Sequence, residues 1–263
     1  MLTLYHGPAM ANGLKPLIAL KEKQLPFESR YMDLFTFEQH EPWFLALNPE
    51  GQVPVLDHDG TIITDSTMMV EYLDDAFPDS IQMRPDDLAD RARMRVWNKY
   101  IDEHAMEAVS MHGWHGRIGA FARSIGDEKF ETLIERIPLQ RQKDKWRTAR
   151  AGFPEQDLAR SRAKVEDAVT RAEEQLGRTE WLAGKTMSLA DVNYFANVAL
   201  SLERLFPGLT GRSTTPTSSP GFAACRSGRR WSRPSRCHHP GCDGVPSGIG
   251  VMAVARGTDG PGL

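Results

Sequence analysis

The sequence predicts a two-part chain: a small α/β unit with a mixed sheet over residues 1–79, and an all-helical unit over residues 89–209. Three observations carry this. Up to about residue 80, short strand-length apolar runs alternate with helix-length ones. From Ala89 to about Leu205 the chain becomes rich in Ala, Arg, Glu and Leu, with apolar residues at helical spacing. Between them, residues 80–88 (SIQMRPDDL) are largely polar and contain Pro85, as a linker would.

Residues 2–5 (LTLY) form a short alternating apolar run ended by Gly7 and Pro8, which predicts a first strand. A helix should follow, with Asn12 as its N-cap and Pro16 in its first turn, where a missing N–H costs nothing. Leu14, Leu17, Ile18 and Leu20 supply its apolar face. A second strand fits residues 27–32. Residues 52–56 (QVPVL) and 61–64 (TIIT), joined through His58, Asp59 and Gly60, predict a hairpin with a glycine-containing turn. Ser66 should then cap a helix running towards Phe77, which Pro78 ends. In the helical unit, breaks are expected near Gly126, Gly152-Phe153-Pro154 and Gly184. Its strongest local signal is MSLADV at 187–192: Ser188 caps a helix, Asp191 caps reciprocally from N3, and Met187 staples to Val192.

The last 53 residues differ in kind. Gly, Pro, Ser and Arg make up 30 of the residues in 211–263, and Lys, Glu, Asn, Gln and Tyr are absent. Such a composition buries too little apolar surface to offset its ordering entropy, so residues 210–263 are expected to be disordered. The abrupt change also suggests a segment translated out of its ancestral frame, which reading the other frames after codon 209 would test. All three cysteines (Cys225, Cys237, Cys242) lie in this segment, so neither a disulfide framework nor a thiol nucleophile is expected in the main body. Cys237-His238-His239-Pro240-Gly241-Cys242 offers metal-ligand types, but six contiguous residues are too cramped for a framed site, and none is expected.

With 263 residues, 40% hydrophobic and 25% charged, the chain has the profile of a soluble globular protein. A formal net charge of -3 gives no general basic field for nucleic acid. No run reaches the roughly 18 apolar residues of a spanning helix. The opening MLTLYHGPAM lacks the basic flank and long apolar stretch of a secretion signal, so the cytoplasm is the expected compartment.

Three pieces of the first unit carry candidate chemistry. Val53-Pro54 sits where a strand begins, and a cis bond there would leave the Val53 N–H and C=O to pair with an extended peptide. Asp65-Ser66 puts an acid and a hydroxyl at a helix N-terminus, a place suited to an amino-acid head group. Asn12 stands where exposed N–H groups and the helix dipole could stabilise a thiolate. Each has a plain structural reading as a turn or cap. In the second unit Trp97, Tyr100, Met111, His112, Trp114, His115 and Phe121 concentrate aromatic and soft side chains suited to a flat phenolic ligand, or to ordinary core. His112 and His115 lack an evident third partner for zinc.

Taken together and in this order, these pieces resemble the glutathione site of the thioredoxin-like N-terminal domain of glutathione S-transferases. The opening LTLY, FEQHEPWFLALNPEGQVPVL at 37–56, ITDSTMMVEYLDDAFP at 63–78 and MSLADV carry the resemblance over residues 1–209. Within the family the chain is most similar to the bacterial lignin β-etherase branch, through GPAMANGLKP at 7–16, FEQHEPWF, MRVWNKYIDE at 94–103 and DKWRTARAGFP at 144–154. The resemblance implies a thioredoxin-like domain followed by an all-α domain, glutathione as co-substrate, an aromatic electrophile as partner, and a homodimer. It also implies site roles. Val53 would pair with the glutathione cysteine, with Pro54 holding the turn. Asp65 and Ser66 would bind the γ-glutamyl head, and Gln39, His40 and Gln52 the remaining polar ends. Related enzymes commonly carry a thiol-activating serine where this chain has Gly13, which leaves the Asn12 amide and the backbone N–H groups of Gly13 and Leu14 as donors, with Tyr5 as runner-up.

Overall fold

The computed structural model describes residues 1–209; the expectations for residues 210–263 lie outside the described residues. Four strands, β1 (Leu2–His6), β2 (Phe27–Tyr31), β3 (Val55–His58) and β4 (Thr61–Ile63), form one mixed sheet in the order β2-β1-β3-β4. β1 runs parallel to β2 and antiparallel to β3, and β3 and β4 form the expected hairpin. Asp59 and Gly60 both take positive φ (50° and 89°), the backbone of a two-residue turn whose twist matches the strands. β3 starts at Val55 rather than at Gln52, because Pro54 cannot donate to the ladder.

Period-two alternation divides the sheet. Leu2, Leu4 and Leu56 face the helices α1 (Leu14–Glu22) and α3 (Ser66–Ala76), while Val55 joins Met32 and Phe44 in a cluster that Tyr5 and Trp43 flank. Phe44 belongs to the short helix α2 (Pro42–Leu45), which opens with Pro42 at its first turn.

The remainder is helical. α4 (Leu88–Tyr100), α5 (Met106–Gly113) and α6 (Gly119–Ser124) follow end to end, joined by π turns at Ile101–Ala105 and Trp114–Ile118. α7 (Asp127–Glu135), α8 (Gln140–Ala151) and α9 (Glu155–Leu176) come next, and α10 (Leu189–Tyr194) continues through a third π turn, Phe195–Ala199, into α11 (Leu200–Leu205). The glycine breaks fall where expected: Gly126 precedes α7, Gly152 (φ 98°) ends α8, and Gly184 (φ 159°) lies in the loop before α10. Both limbs of the Ser188–Asp191 capping box form, and Asp191 Oδ1 also takes the Leu182 N–H at 2.9 Å.

One buried cluster unites the two parts. It runs from Leu4, Leu17 and Leu73 through Met94 and Ile101 to Val165, Leu189 and Phe195. Each such side chain contributes about 1.5–3 kcal/mol when fully buried, so helix α1 is held from both sides and the loop before it is fixed against the helical part. That loop carries Asn12, one of the three pieces of candidate chemistry.

Candidate functional site

The N-terminus of α3 is built by Asp65. Its backbone is extended (φ -96°, ψ 127°), and Oδ1 accepts the N–H groups of Thr67 (2.8 Å) and Met68 (2.9 Å). This corrects the expected cap: Asp65 is the N-cap, and Ser66 is already the first helical residue and buried. The carboxylate is exposed and its Oδ2 takes no hydrogen bond within the described residues, so the oxygen not used for capping can meet a cation.

The segment before β3 is shaped by Asn48, which the sequence reading missed. Buried Asn48 donates from Nδ2 to the Gln52 carbonyl (2.8 Å), accepts the Glu50 N–H at Oδ1 (3.1 Å), and its carbonyl accepts the Gly51 N–H (2.9 Å). Gly51 takes φ 62°, and a Cβ there would lie 2.5 Å from His40 Cδ2, so both backbone and space require glycine. The Val53–Pro54 bond is cis. Val53 precedes the β1–β3 ladder and shows no backbone hydrogen bond among the described residues.

Gln39 and His40 occupy a short 3₁₀ turn (Glu38–His40), both buried. Burial, reinforced by Arg136 and opposed by a hydrogen bond to the Gly51 backbone, pulls the His40 imidazole down to about 4, so the ring is neutral. Gln39 Oε1 and His40 Nδ1 are buried without a hydrogen-bond partner among the described residues. Orphaned polar atoms of this kind mark a surface that a polar ligand would complete. Arg136 fixes the turn from the helical part, donating to the Phe37 carbonyl (3.0 Å) and to Glu41 (2.5 Å).

Asn12 lies in a 3₁₀ turn (Ala11–Gly13), and α1 begins only at Leu14 with Gly13 as N-cap and no side-chain capping bond. The expected cap role of Asn12 is thus corrected: Ala11, at φ 48°, turns the chain. The side chain of Asn12 reaches the helical part instead, where Oδ1 accepts from Asn197 Nδ2 at 3.3 Å. Its own NH2 is engaged with no described residue. A Cβ on Gly13 would meet Pro8 O at 3.6 Å and His6 Cβ at 3.9 Å, ordinary contacts. The Tyr5 ring packs on Trp43 and Phe44, both at 6.0 Å.

The aromatic residues of the helical part divide into separate groups. Trp114 stands edge-on to Trp146 of α8 (5.3 Å), and Phe121 to Phe35 (4.7 Å), while Trp146 also meets Phe37 (4.9 Å). Arg117 ties this group to the Asn12 loop, lying 5.0 Å over Phe35 and donating to Met10 Sδ at 3.5 Å. His115 Nδ1 accepts the Phe153 N–H (3.3 Å). Met111 is half-buried, and His112 packs on Phe206 (4.7 Å) with its imidazole held below the usual range, chiefly by burial. Trp97 and Tyr100 do not join the Trp114 group. They face α9 across a surface groove of about 270 Å³ shared with Arg171 and Arg178, and the Tyr100 hydroxyl donates to Asp167 at 2.8 Å. Among the described residues no three His, Cys, Asp or Glu side chains gather for a metal, and no helix is long and apolar enough to cross a membrane.

This combination of a capped carboxylate, a cis-proline loop and a helical partner can be set beside known proteins. Family profiles for the glutathione S-transferase N-terminal and C-terminal domains match residues 9–76 and 123–217. Protein LigF of Sphingobium sp. strain SYK-6 is 44% identical over 225 residues, 85% of this chain and 87% of LigF. The chain belongs to the glutathione S-transferase family. The crystal structure of the β-etherase LigF superposes with a TM-score of 0.77 at 42% identity, covering 87% of this chain and 95% of that one. Glutathione transferase F7 of Populus trichocarpa, 22% identical with a TM-score of 0.65 over 88% of this chain and all of that one, shares the fold. A glutathione transferase homologue from Sulfitobacter, solved with glutathione bound, is 25% identical over 87% of this chain and 98% of that one, TM-score 0.56. The family's thioredoxin-like domain with a helical domain is the architecture observed here, and glutathione is its co-substrate.

Proposed function

We propose that this glutathione transferase cleaves β-aryl ethers of lignin-derived aromatics. The glutathione thiolate attacks the β-carbon, a C–S bond forms as the C–O bond breaks, and the aryl oxygen leaves as phenolate. The observation that carries the reading is the 44% identity to LigF along nearly the whole of both chains. A phenolate is a stable enough leaving group to need little acid help, so a site that stabilises a thiolate by donors alone suffices.

In this reading Val53 pairs through its backbone with the glutathione cysteine beside Pro54, and Asp65 Oδ2 takes the γ-glutamyl ammonium while Ser66 and the α3 N-terminus take its carboxylate. Gln39, His40 and Gln52 meet the rest of the tripeptide, with His40 at the glycine carboxylate. The Asn12 amide holds the sulfur beside Gly13, whereas the Leu14 N–H, expected to help, is taken by the Ala11 carbonyl. Trp114, His115, Met111, His112 and Phe121 belong to the electrophile's side, and Trp97 and Tyr100 are weaker candidates because they face α9. The chain works as a cytoplasmic homodimer whose first domain spans residues 1–79 and whose second spans 89–209.

Gly13 favours one alternative, a glutathione-binding protein without turnover. Glutathione-dependent phenol release from a β-aryl ether separates the two. Release of the phenol with a glutathione thioether as co-product supports the etherase, whereas glutathione binding without phenol overturns it. Asn12→Ala should lower turnover far more than glutathione affinity, and equal losses in both would remove Asn12 from the thiol.

A further inference from the structure

The run LADVNYFANVAL (189–200) places asparagines at 193 and 197, one helical turn apart in a stretch that is mostly apolar beyond the capping Asp191. Both are buried, at 0% and 2% exposure. A buried amide is costly unless its hydrogen bonds are met, and here they form a directed chain. Asn193 Nδ2 donates to Asp102 Oδ1 (3.1 Å) and to Asn98 Oδ1 (3.3 Å). Asn197 Nδ2 donates to Asn193 Oδ1 (2.7 Å) and to Asn12 Oδ1 (3.3 Å).

The direction of the chain has a physical origin. A carboxylate in an ion pair only accepts, and Asp102 pairs with Lys15 Nζ (3.0 Å) and takes the Thr67 hydroxyl (2.7 Å). Asn193 must therefore turn its NH2 to Asp102 and its oxygen to Asn197. Asn197 must in turn donate, and its two amide hydrogens serve Asn193 and Asn12. Asn12 is left with its oxygen occupied and its NH2 unengaged. Asn197 Oδ1, buried and without a partner, is consistent with an amide committed to donating. Asp102 and Asn197 both sit in π turns, wide turns that re-aim side chains and recur at functional sites.

We propose that Asn197 is a positioning residue for catalysis: the Asp102–Asn193–Asn197 chain fixes the polarity of the Asn12 amide so that it presents a donor to the glutathione sulfur. This rests on the reading of Asn12 as thiol donor. Without the chain, the Asn12 amide turns freely and presents oxygen as readily as NH2, and oxygen repels a thiolate.

The test is the thiol pKa of bound glutathione, read from thiolate ultraviolet absorbance in the full-length protein and in Asn12→Ala, Asn197→Leu, Asn197→Asp and the Asn12→Ala/Asn197→Leu double variant. Asn12→Ala should raise that pKa by about one unit. Asn197→Leu, near in volume, should produce much of the same rise, and Asn197→Asp, whose carboxylate draws the Asn12 NH2 inward, at least as much. The kcat should fall with little change in glutathione Kd, and the double variant should match Asn12→Ala. No rise in Asn12→Ala overturns the donor reading. A rise there with none in either single Asn197 variant overturns the positioning role alone. If the Asn197 variants do not melt cooperatively, amide hydrogen exchange in the unsubstituted protein decides. Both Asn197 side-chain protons should exchange slowly, and those of Asn12 should slow only when glutathione binds. Fast Asn197 protons overturn the positioning role, and Asn12 protons indifferent to glutathione overturn the donor reading.

Discussion

Lys15 on α1 and Asp102 on the π turn after α4 form a 3.0 Å ion pair across the junction of the α/β and helical parts. The two ends differ: the Lys15 side chain is 1% exposed and that of Asp102 30%. Burial lowers the Lys15 ammonium, and Asp102, first among the groups acting against it, raises it. Thr67 Oγ1 accepts from the same ammonium at 2.8 Å, so the α3 N-terminus shares the arrangement.

This asymmetry predicts unequal losses on substitution. Asp102→Ala strands an enclosed cation and should cost about 3 kcal/mol, the lower part of the range for breaking a buried pair because Asp102 keeps some solvent. Lys15→Met removes the charge and keeps the packing, and Asp102 retains Thr67 and Asn193, so it should cost about 1 kcal/mol. Urea midpoints of the two variants check this, and equal losses would show the pair to be valued for shape rather than charge.

Gly13 has helical backbone angles (φ -65°, ψ -24°) and room for a Cβ. Gly13→Ser should therefore fold and gain about 0.4–1 kcal/mol, because the unfolded chain loses freedom. With a hydroxyl beside Asn12, turnover should hold or rise. Denaturant melts and kcat measure the two arms, and a drop in kcat with unchanged stability would mean that the sulfur needs the bare Gly13 backbone.

The architecture was legible where punctuation and periodicity are local. Asp59-Gly60 gave the hairpin, Gly126, Gly152 and Gly184 the helix breaks, and Ser188 with Asp191 the capping box. Both cap assignments at the site slipped for separate reasons. At Asp65-Ser66 either residue could cap, and the choice fell to the one whose carboxylate reaches two N–H groups. Asn12 was misread because its partner, Asn197, lies 185 positions away. The first two π turns were hidden because the apolar rhythm of 88–124 runs through them. Trp97 and Trp114 are alike in composition, and only the packing of α9 and α8 separates them. Asn193 and Asn197, polar residues one turn apart on an apolar face, were a readable signal left unused.

Acid should act through His40. Its pKa falls from 6.5 unfolded to about 4 folded, so the unfolded state binds the proton first. That contribution to stability is complete above pH 6.5 and is lost as pH falls towards 4, with a slope approaching about 1.4 kcal/mol per pH unit. His6 is lowered in the same sense, whereas Asp191, pushed up to about 6 by burial, gains stability as pH falls through that value. The difference between the protein and His40→Gln isolates the term. Melts across pH 4–7 should show the variant losing less stability towards acid, and parallel curves would place the His40 proton in both states alike.

Asp65 permits its structural and binding roles to be separated with two substitutions. Oδ1 caps α3, and Oδ2 is the oxygen available to the γ-glutamyl ammonium. Asparagine caps a helix about as well as aspartate, so Asp65→Asn should melt within about 0.5 kcal/mol of the parent, whereas Asp65→Ala should lose about 1 kcal/mol with the cap. Binding should respond differently. Both variants lose a charge-assisted hydrogen bond worth about 1.5–3 kcal/mol, so glutathione Kd should rise about tenfold to a hundredfold in each. Calorimetric titration and thermal melts of the two proteins give all four values. If Asp65→Asn binds as tightly as the parent, the carboxylate is only a cap, and the ammonium must be sought at another acid.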